Sequence, residues 1–287
     1  MNNILDFSHF NSQGKVVIDN GFVKDDENLM ERGSFFGFDN IINEWTFFEI
    51  HSDNLRDSVV SAKSRTINRM RQLIVAIAKV NDLPPETPLE QILRLKYRGK
   101  RILLLEHNSA FASIFVRFCQ LLQIELITSE FFGDQYASGE YVNSVLNVDI
   151  QKTHFPDNHI DLIVHTDVFE HVPDAPQGEA ETVRILKPGG AVVFTAPFDF
   201  TADQDDVYAE ISDGNLKMFK DPIYHDDPIS ADGKCLVFRI FSYPETRDRF
   251  DKLGCDYYCN YVHSTYLGIL GNNAFCFIAR KRGGIKD

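Results

Sequence analysis

Carboxylates recur in this chain just past short apolar runs. Glu106 follows Arg101–Leu105, Glu130 follows Ile124–Thr128, Asp149 follows Ser144–Val148 and Asp167 follows Ile160–His165. An ionised carboxylate accepts hydrogen bonds only, so it suits a ligand that offers hydroxyl or amine donors. Imidazoles form a second group. Glu170-His171 and Tyr224-His225-Asp226-Asp227-Pro228 put histidine beside acids, and an unperturbed imidazole titrates near neutrality. His225, Tyr224 and His171, in that order, are the candidates for a general base. A lone histidine with two acids is more often a turn or a base than a metal ligand, and there is no HExxH, so no metal is expected. A third group is basic: Arg56, Lys63, Arg65, Arg69 and Arg71. It reads as a solvated helix face or, alternatively, as an anion-recognition surface through Arg65 and Arg69. The acids from Asp199 to Asp213 read as a solvated surface or as a preference for a cationic substrate.

These groups need a scaffold. From Asp53 to Val80 the spacing predicts one helix, with Ile67, Met70, Ile74 and Ile77 three and four apart. Asn81-Asp82-Leu83-Pro84-Pro85 ends it, and a short helix over 88–95 follows. After Gly99, strands are expected at 101–105, 124–128, 144–148, 160–165 and 191–195, with helices at 111–122 and 178–186. Strands alternating with helices mean a parallel sheet with crossover helices, and loops past the strand ends share one edge where ligands bind. Residues 198–243 interrupt the rhythm and read as a loop-like insertion, usually functional at this length. A helix at 244–253 and strands at 256–262 and 273–281 close the chain. Residues 1–97 read as an N-terminal aromatic and helical cap. The stretch to residue 50 is too rich in Phe to be a disordered tail, with Phe7, Phe10, Phe22, Phe35, Phe36 and Phe38 among others. Residues 98–287 read as the main domain.

Composition narrows the function classes. The formal net charge is −13, which argues against broad nucleic-acid binding, because phosphate backbones need a basic surface. Neither a Gly-rich dinucleotide loop nor a phosphate loop is present. The five cysteines form no CxxC pair, so neither a zinc site nor a disulfide framework is expected. No apolar run approaches membrane-spanning length, and the first residues lack a leader pattern, so a cytoplasmic chain is expected. Oligomeric state stays undetermined.

The stretch from Asn147 to Phe198 combines Phe155-Pro156-Asp157, Phe169-Glu170-His171-Val172 and Arg184-Ile185-Leu186-Lys187-Pro188-Gly189-Gly190. In this order and spacing it resembles the class I S-adenosylmethionine-dependent methyltransferases of the type 11 kind, over about 101–281. The resemblance implies a Rossmann-like seven-stranded α/β sheet in the order 3-2-1-4-5-7-6 with strand seven antiparallel. It implies S-adenosylmethionine as cofactor and methyl transfer to a small-molecule acceptor. Glu130, with Phe131 beside it, would take the ribose hydroxyls. Asp149 would meet the adenine amine, with Ile150 against the ring. Thr166, Asp167 and Val168 would face the methionine end. Glu170-His171 would serve to fix the loop after strand four, against direct proton transfer by His171. The family's first loop carries glycines, whereas this chain reads Glu106-His107-Asn108-Ser109-Ala110-Phe111-Ala112. It is similar to a branch with a glycine-free first loop and a later YHGDP, in which Asp226 here replaces the glycine. Glu106, His107, Asn108 and Ser109 would then hold the amino or carboxylate group. Two alternatives stay open: use of another arm of the cofactor, by aminocarboxypropyl transfer or cyclisation, and a non-catalytic binding protein of the same fold. Asn/Asp-Pro-Pro-aromatic after strand four and a Pro-Cys nucleophile are both missing, so the base-modifying nucleic-acid enzymes are not matched.

Overall fold

The computed structural model describes residues 5–6, 23–226, 229 and 233–283. Phe7, Phe10 and Phe22, and Asp227 and Pro228 of the YHDDP stretch, lie outside the described residues. The chain divides into two compact units: Met1–Lys100 with Asn108–Leu126 and Tyr258–Ile278, and Arg101–His107 with Ile127–Tyr257 and Ala279–Asp287.

In the first unit, strands Ser34–Asp39, Glu44–Ile50 and Val59–Ser61 form an antiparallel sheet. Period-two alternation sorts its aromatics by face. Phe48 packs inward with Leu55, Val59 and Leu270, while Phe36, Trp45 and Phe47 are exposed. The single helix expected over 53–80 is corrected. The chain makes one helical turn, Leu55–Ser58, then the strand Val59–Ser61, and the long helix runs only over Asn68–Val80. Two adjacent β-branched residues, Val59 and Val60, favour the strand, which pairs with Glu49 and Ile50. Arg65, at φ +61°, then turns the chain before the helix.

The basic residues here are held by partners within the same unit. Lys63 reaches Glu44 at 2.7 Å, Arg65 lies 3.8 Å from Glu49 and Arg69 lies 2.9 Å from Asp57. Arg71 is fully buried rather than solvated. It donates to the carbonyls of Val59, Thr66 and Gly268 and lies 4.4 Å from the centre of the Phe48 ring. Burial pulls its pKa down to about 10, which still leaves it charged near neutrality.

Through the second unit runs an eight-stranded sheet. Its strands in spatial order are Tyr141–Val142, Val145–Asn147, Glu125–Glu130, Arg101–Leu104, Ile160–Thr166, Leu186–Thr195, Cys276–Lys281 and Cys255–Asn260. With the short edge strand Tyr141–Val142 set aside, chain-order numbering gives 3-2-1-4-5-7-6. Arg101–Leu104 and Leu186–Thr195 both pair in parallel with Ile160–Thr166, whose residues 160 and 162–165 are buried. This is an α/β fold built on a mixed central sheet. The helix expected at 178–186 starts earlier and covers Ala175–Ile185, because Asp174 caps it by accepting from the Gln177 N–H and Pro176 presets its first turn.

Residues 198–243 are expected to be loop-like, but among their described residues the chain forms seven short strands. Ala209–Ser212 pairs with Asn215–Met218, and Tyr224–Asp226 pairs with Lys234–Leu236. Arg239–Ser242 takes Phe198–Asp199 on one side and Asp206–Val207 on the other. The first hairpin turns at Asp213-Gly214, both at positive φ, +51° and +73°, as a two-residue hairpin turn requires.

Candidate functional site

Four of the expected carboxylates belong to the second unit, and three can be followed in detail. Glu130 ends its strand, and its Oε1 accepts from the His107 N–H at 2.8 Å. His107 is fixed a second time, by Nδ1 at 2.8 Å from Thr128 Oγ1. The glycine-free loop is thus tied by its backbone to the acid expected to take the ribose. Glu106 sits just before this contact and is half-buried. Asp149 accepts from the Gln151 N–H at 2.9 Å and from Gln151 Nε2 at 3.2 Å, a local turn that orients its carboxylate. Ile150 beside it is buried. Asp149 and Phe131 line one pocket of about 440 Å³, together with Asp134, Tyr136, Ser138 and Lys152 among others. That size falls within the range of small-molecule and cofactor sites.

Asp167 occupies a left-handed conformation at φ +49°, uncommon for a residue with a Cβ. Thr195 explains it. The Asp167 N–H donates to Thr195 O at 3.0 Å, and Thr195 Oγ1 donates to Asp167 Oδ1 at 2.7 Å. Thr166 lies in register with Thr195, so the two strand ends carry this bend between them. Val168 follows in the turn, half-buried.

Asn108 and Ser109 belong to the first unit. Ser109 caps the helix Ala110–Leu122, accepting from the Ala112 N–H at 2.9 Å.

His171 and His225 meet. His171 Nε2 lies 3.1 Å from His225 Nδ1, with the rings nearly perpendicular. His171 Nδ1 lies 2.8 Å from the Leu236 carbonyl oxygen. A carbonyl cannot donate, so Nδ1 carries the proton, and in the neutral ring Nε2 presents its lone pair. Glu170, fully buried, puts Oε1 3.8 Å from His171 Nε2 and 3.7 Å from His225 Nδ1. Tyr224 does not join them. It precedes His225 in the same strand, so its side chain faces the other way, half-exposed with Lys234 Nζ 5.9 Å from its ring centre.

Several residues in these arrangements were not singled out from sequence. Thr195 and Leu236 act through a hydroxyl and a backbone carbonyl, which leave no spacing signal. Tyr136 and Ser138 line the pocket from a non-periodic stretch. The network holding the insertion combines residues far apart in sequence. Arg249 donates to both oxygens of the buried Glu179, at 2.6 and 2.9 Å, and to Asp205 at 2.9 Å. Asp205 also accepts from the Ser242 N–H at 2.8 Å. Burial pushes the Glu179 carboxyl above the usual carboxylate range, with the Arg249 guanidinium opposing.

Residues 111–194 match the family model for a methyltransferase domain. No curated protein matches the chain. Among solved structures it is similar to an S-adenosylmethionine-dependent methyltransferase from Mesorhizobium loti, at 17% identity over 65% of this chain and 93% of that one, TM-score 0.42. It is similar to the complex of the Haloferax volcanii Trm112 methyltransferase activator with a putative methyltransferase, at 12% identity over 76% and 92%, TM-score 0.43. It is also similar to the Burkholderia thailandensis 1,6-didemethyltoxoflavin-N1-methyltransferase, solved with 1,6-didemethyltoxoflavin and S-adenosylhomocysteine, at 13% identity over 75% and 78%, TM-score 0.39. The match to a methyltransferase domain thus covers residues 111–194 of the chain's 287.

Proposed function

We propose that this protein transfers a methyl group from S-adenosylmethionine to a small-molecule acceptor. The observation that carries the reading is the pocket of about 440 Å³ lined by Phe131 and Asp149, within the segment that matches the methyltransferase domain. Its donor set fits an adenosine: an acid for an exocyclic amine, aromatic faces at Phe131 and Tyr136, and a hydroxyl at Ser138. S-adenosylmethionine supplies an electrophilic methyl on a sulfonium, so the protein's work is chiefly positioning. Asp149 and Ile150 hold the base, and Glu130, braced by the His107 N–H, accepts from the ribose. Asp167, held in its bend by Thr195, sets the path of Thr166–Val168 at the methionine end. Glu106 and His107 belong to the loop that replaces the glycines, and they offer polar groups to the amino acid end.

The acceptor side is assigned to the His171–His225 pair, under an insertion that acts as a lid. Where the acceptor's nucleophile is protonated near neutrality, its proton is handled at this pair, and Tyr224 shapes the outer surface of the same hairpin. Two measurements test the reading. Calorimetry with S-adenosylmethionine and S-adenosylhomocysteine should give saturable one-to-one binding. Incubation with methyl-labelled cofactor and a panel of small hydroxyl, amine and thiol acceptors should move label to one of them. Absence of binding by either ligand overturns the proposal.

A further inference from the structure

We infer that Glu170, His171 and His225 form a binding site for one divalent first-row transition-metal cation. Three ligand atoms of the right kind converge: Glu170 Oε1, His171 Nε2 and His225 Nδ1, separated by 3.1, 3.7 and 3.8 Å. Two ligands about 2.1 Å from one ion stand about 3.0 Å apart at a right angle and about 3.4 Å apart at the tetrahedral angle. The imidazole–imidazole separation lies between those values and the two carboxylate separations exceed the larger by about 0.3–0.4 Å, so shifts of a few tenths of an ångström close the set around an ion. The 3.7 and 3.8 Å spacings are too long for hydrogen bonds but suit groups facing a common cation.

The surroundings prepare the ligands. The Leu236 carbonyl accepts a hydrogen bond from His171 Nδ1–H, which fixes the tautomer that leaves the Nε2 lone pair for a metal and fixes the ring's orientation. The Glu170 backbone is pinned as well, because its carbonyl accepts from the Phe238 N–H at 2.7 Å. Glu170 is wholly buried, and a buried carboxylate is stabilised by a positive charge at short range. Two imidazoles with one carboxylate select a borderline ion such as Zn²⁺, Fe²⁺ or Co²⁺ over Mg²⁺ or Ca²⁺, which take oxygen sets. Sequence reading expected no metal here. His171 and His225 lie 54 positions apart, and only the hairpin Tyr224–Asp226/Lys234–Leu236 brings the second imidazole to the first.

Three protein ligands leave at least one position for water or for an acceptor's oxygen or nitrogen. That use of the site rests on the methyltransferase reading, whereas binding of the ion does not. The acceptor would then be a small molecule with a nucleophile that coordinates a metal, and the cation, in place of a free imidazole base, would ease loss of its proton by lowering that group's pKa.

The test uses the full chain, stripped with EDTA and titrated with Co²⁺, without cofactor, while visible d–d absorption is followed. One equivalent should saturate the signal, and Zn²⁺ should displace it. His171→Ala and His225→Ala should each weaken Co²⁺ binding by roughly a hundredfold or more, since even outer partners of metal ligands are worth ten- to a hundredfold. Glu170→Gln keeps the volume and should act in the same direction, and far-UV circular dichroism of each metal-free variant checks the fold. Absence of saturable Co²⁺ binding, or unchanged affinity in folded His171→Ala and His225→Ala, overturns the inference. Calorimetry with S-adenosylhomocysteine on the stripped chain separates the two readings. Cofactor binding without Co²⁺ binding removes the metal site alone, and Co²⁺ binding without cofactor binding removes the methyltransferase proposal alone.

Discussion

Thr195 holds Asp167 in a backbone conformation that aspartate seldom adopts. Its carbonyl and its hydroxyl both take the Asp167 N–H, at 3.0 and 3.2 Å, and the hydroxyl donates to Oδ1 at 2.7 Å. The left-handed bend at φ +49° is therefore stabilised from the neighbouring strand. Thr195→Val keeps the shape and the carbonyl but removes the hydroxyl. Unfolding in urea should show a loss of about 1–2 kcal/mol, the cost of stranding a partly buried acceptor. Thr195→Ser should recover most of it. A Val variant with unchanged stability would mean that the hydroxyl is not what holds the bend.

The Arg249–Glu179 pair is buried and bidentate, and Asp205 joins it from the insertion. Removing one partner leaves the other charge without compensation. Arg249→Ala should cost about 3–5 kcal/mol. Because Asp205 also binds the Ser242 N–H and faces Arg239 at 3.6 Å, the same change should loosen the insertion. Limited proteolysis should then cut within 198–243 before the rest of the chain. Uniform loss of protection would show that the insertion and the sheet unfold together.

How legible all this was in sequence depended on the range of the interaction that decides each feature. The buried strands 101–104, 160–166 and 191–195 announce themselves as apolar runs, and the acids at their ends follow from them. The break at Val59–Ser61 was hidden because helical spacing continues through it while pairing with Ile50 and Glu49, nine and eleven residues away, decides the outcome. The insertion's strands are mostly two to four residues long with little buried surface, so periodicity cannot find them. Asp213-Gly214 was a usable turn signal within it. His171 and His225 were each singled out, but their meeting is a tertiary fact carried by one hairpin. Glu170, read only as a loop-fixing neighbour, became part of the cluster through its burial.

His165 gives a pH dependence with a definite sign. It is fully buried between Phe169 and Phe194, and burial drags its pKa down to about 3, with nearby Asp167 opposing. The unfolded chain's imidazole titrates near 6.5. Between these values the unfolded state binds the extra proton, so the stability tied to a neutral His165 is complete above about pH 6.5 and is lost as the pH falls toward 3. The slope attributable to this group approaches about 1.4 kcal/mol per pH unit in mid-window. His165→Phe should flatten the stability profile between pH 6 and 4 relative to the parent. Parallel profiles for the two proteins would place the acid sensitivity elsewhere.

The cofactor assignment rests on Glu130 and Asp149, and each carries a structural duty that has to be separated from binding. Glu130 accepts from the His107 N–H, and Asp149 accepts from Gln151. Alanine at either position removes both the duty and the proposed ligand contact. Glu130→Gln keeps a carbonyl oxygen for the His107 N–H but replaces the second oxygen with donors, which suit ribose hydroxyls less well than a carboxylate oxygen does. Asp149→Asn likewise keeps an acceptor for the Gln151 N–H. Losing a charged hydrogen-bond acceptor costs roughly 1.5–3 kcal/mol, or about ten- to a hundredfold in affinity. All four variants should therefore weaken S-adenosylhomocysteine binding by calorimetry, while only the alanine variants lower the melting temperature of the ligand-free protein. Unchanged affinity in Glu130→Gln and Asp149→Asn, with the alanine variants weakened only in proportion to their lost stability, would show that these acids shape the sheet edge without touching the cofactor.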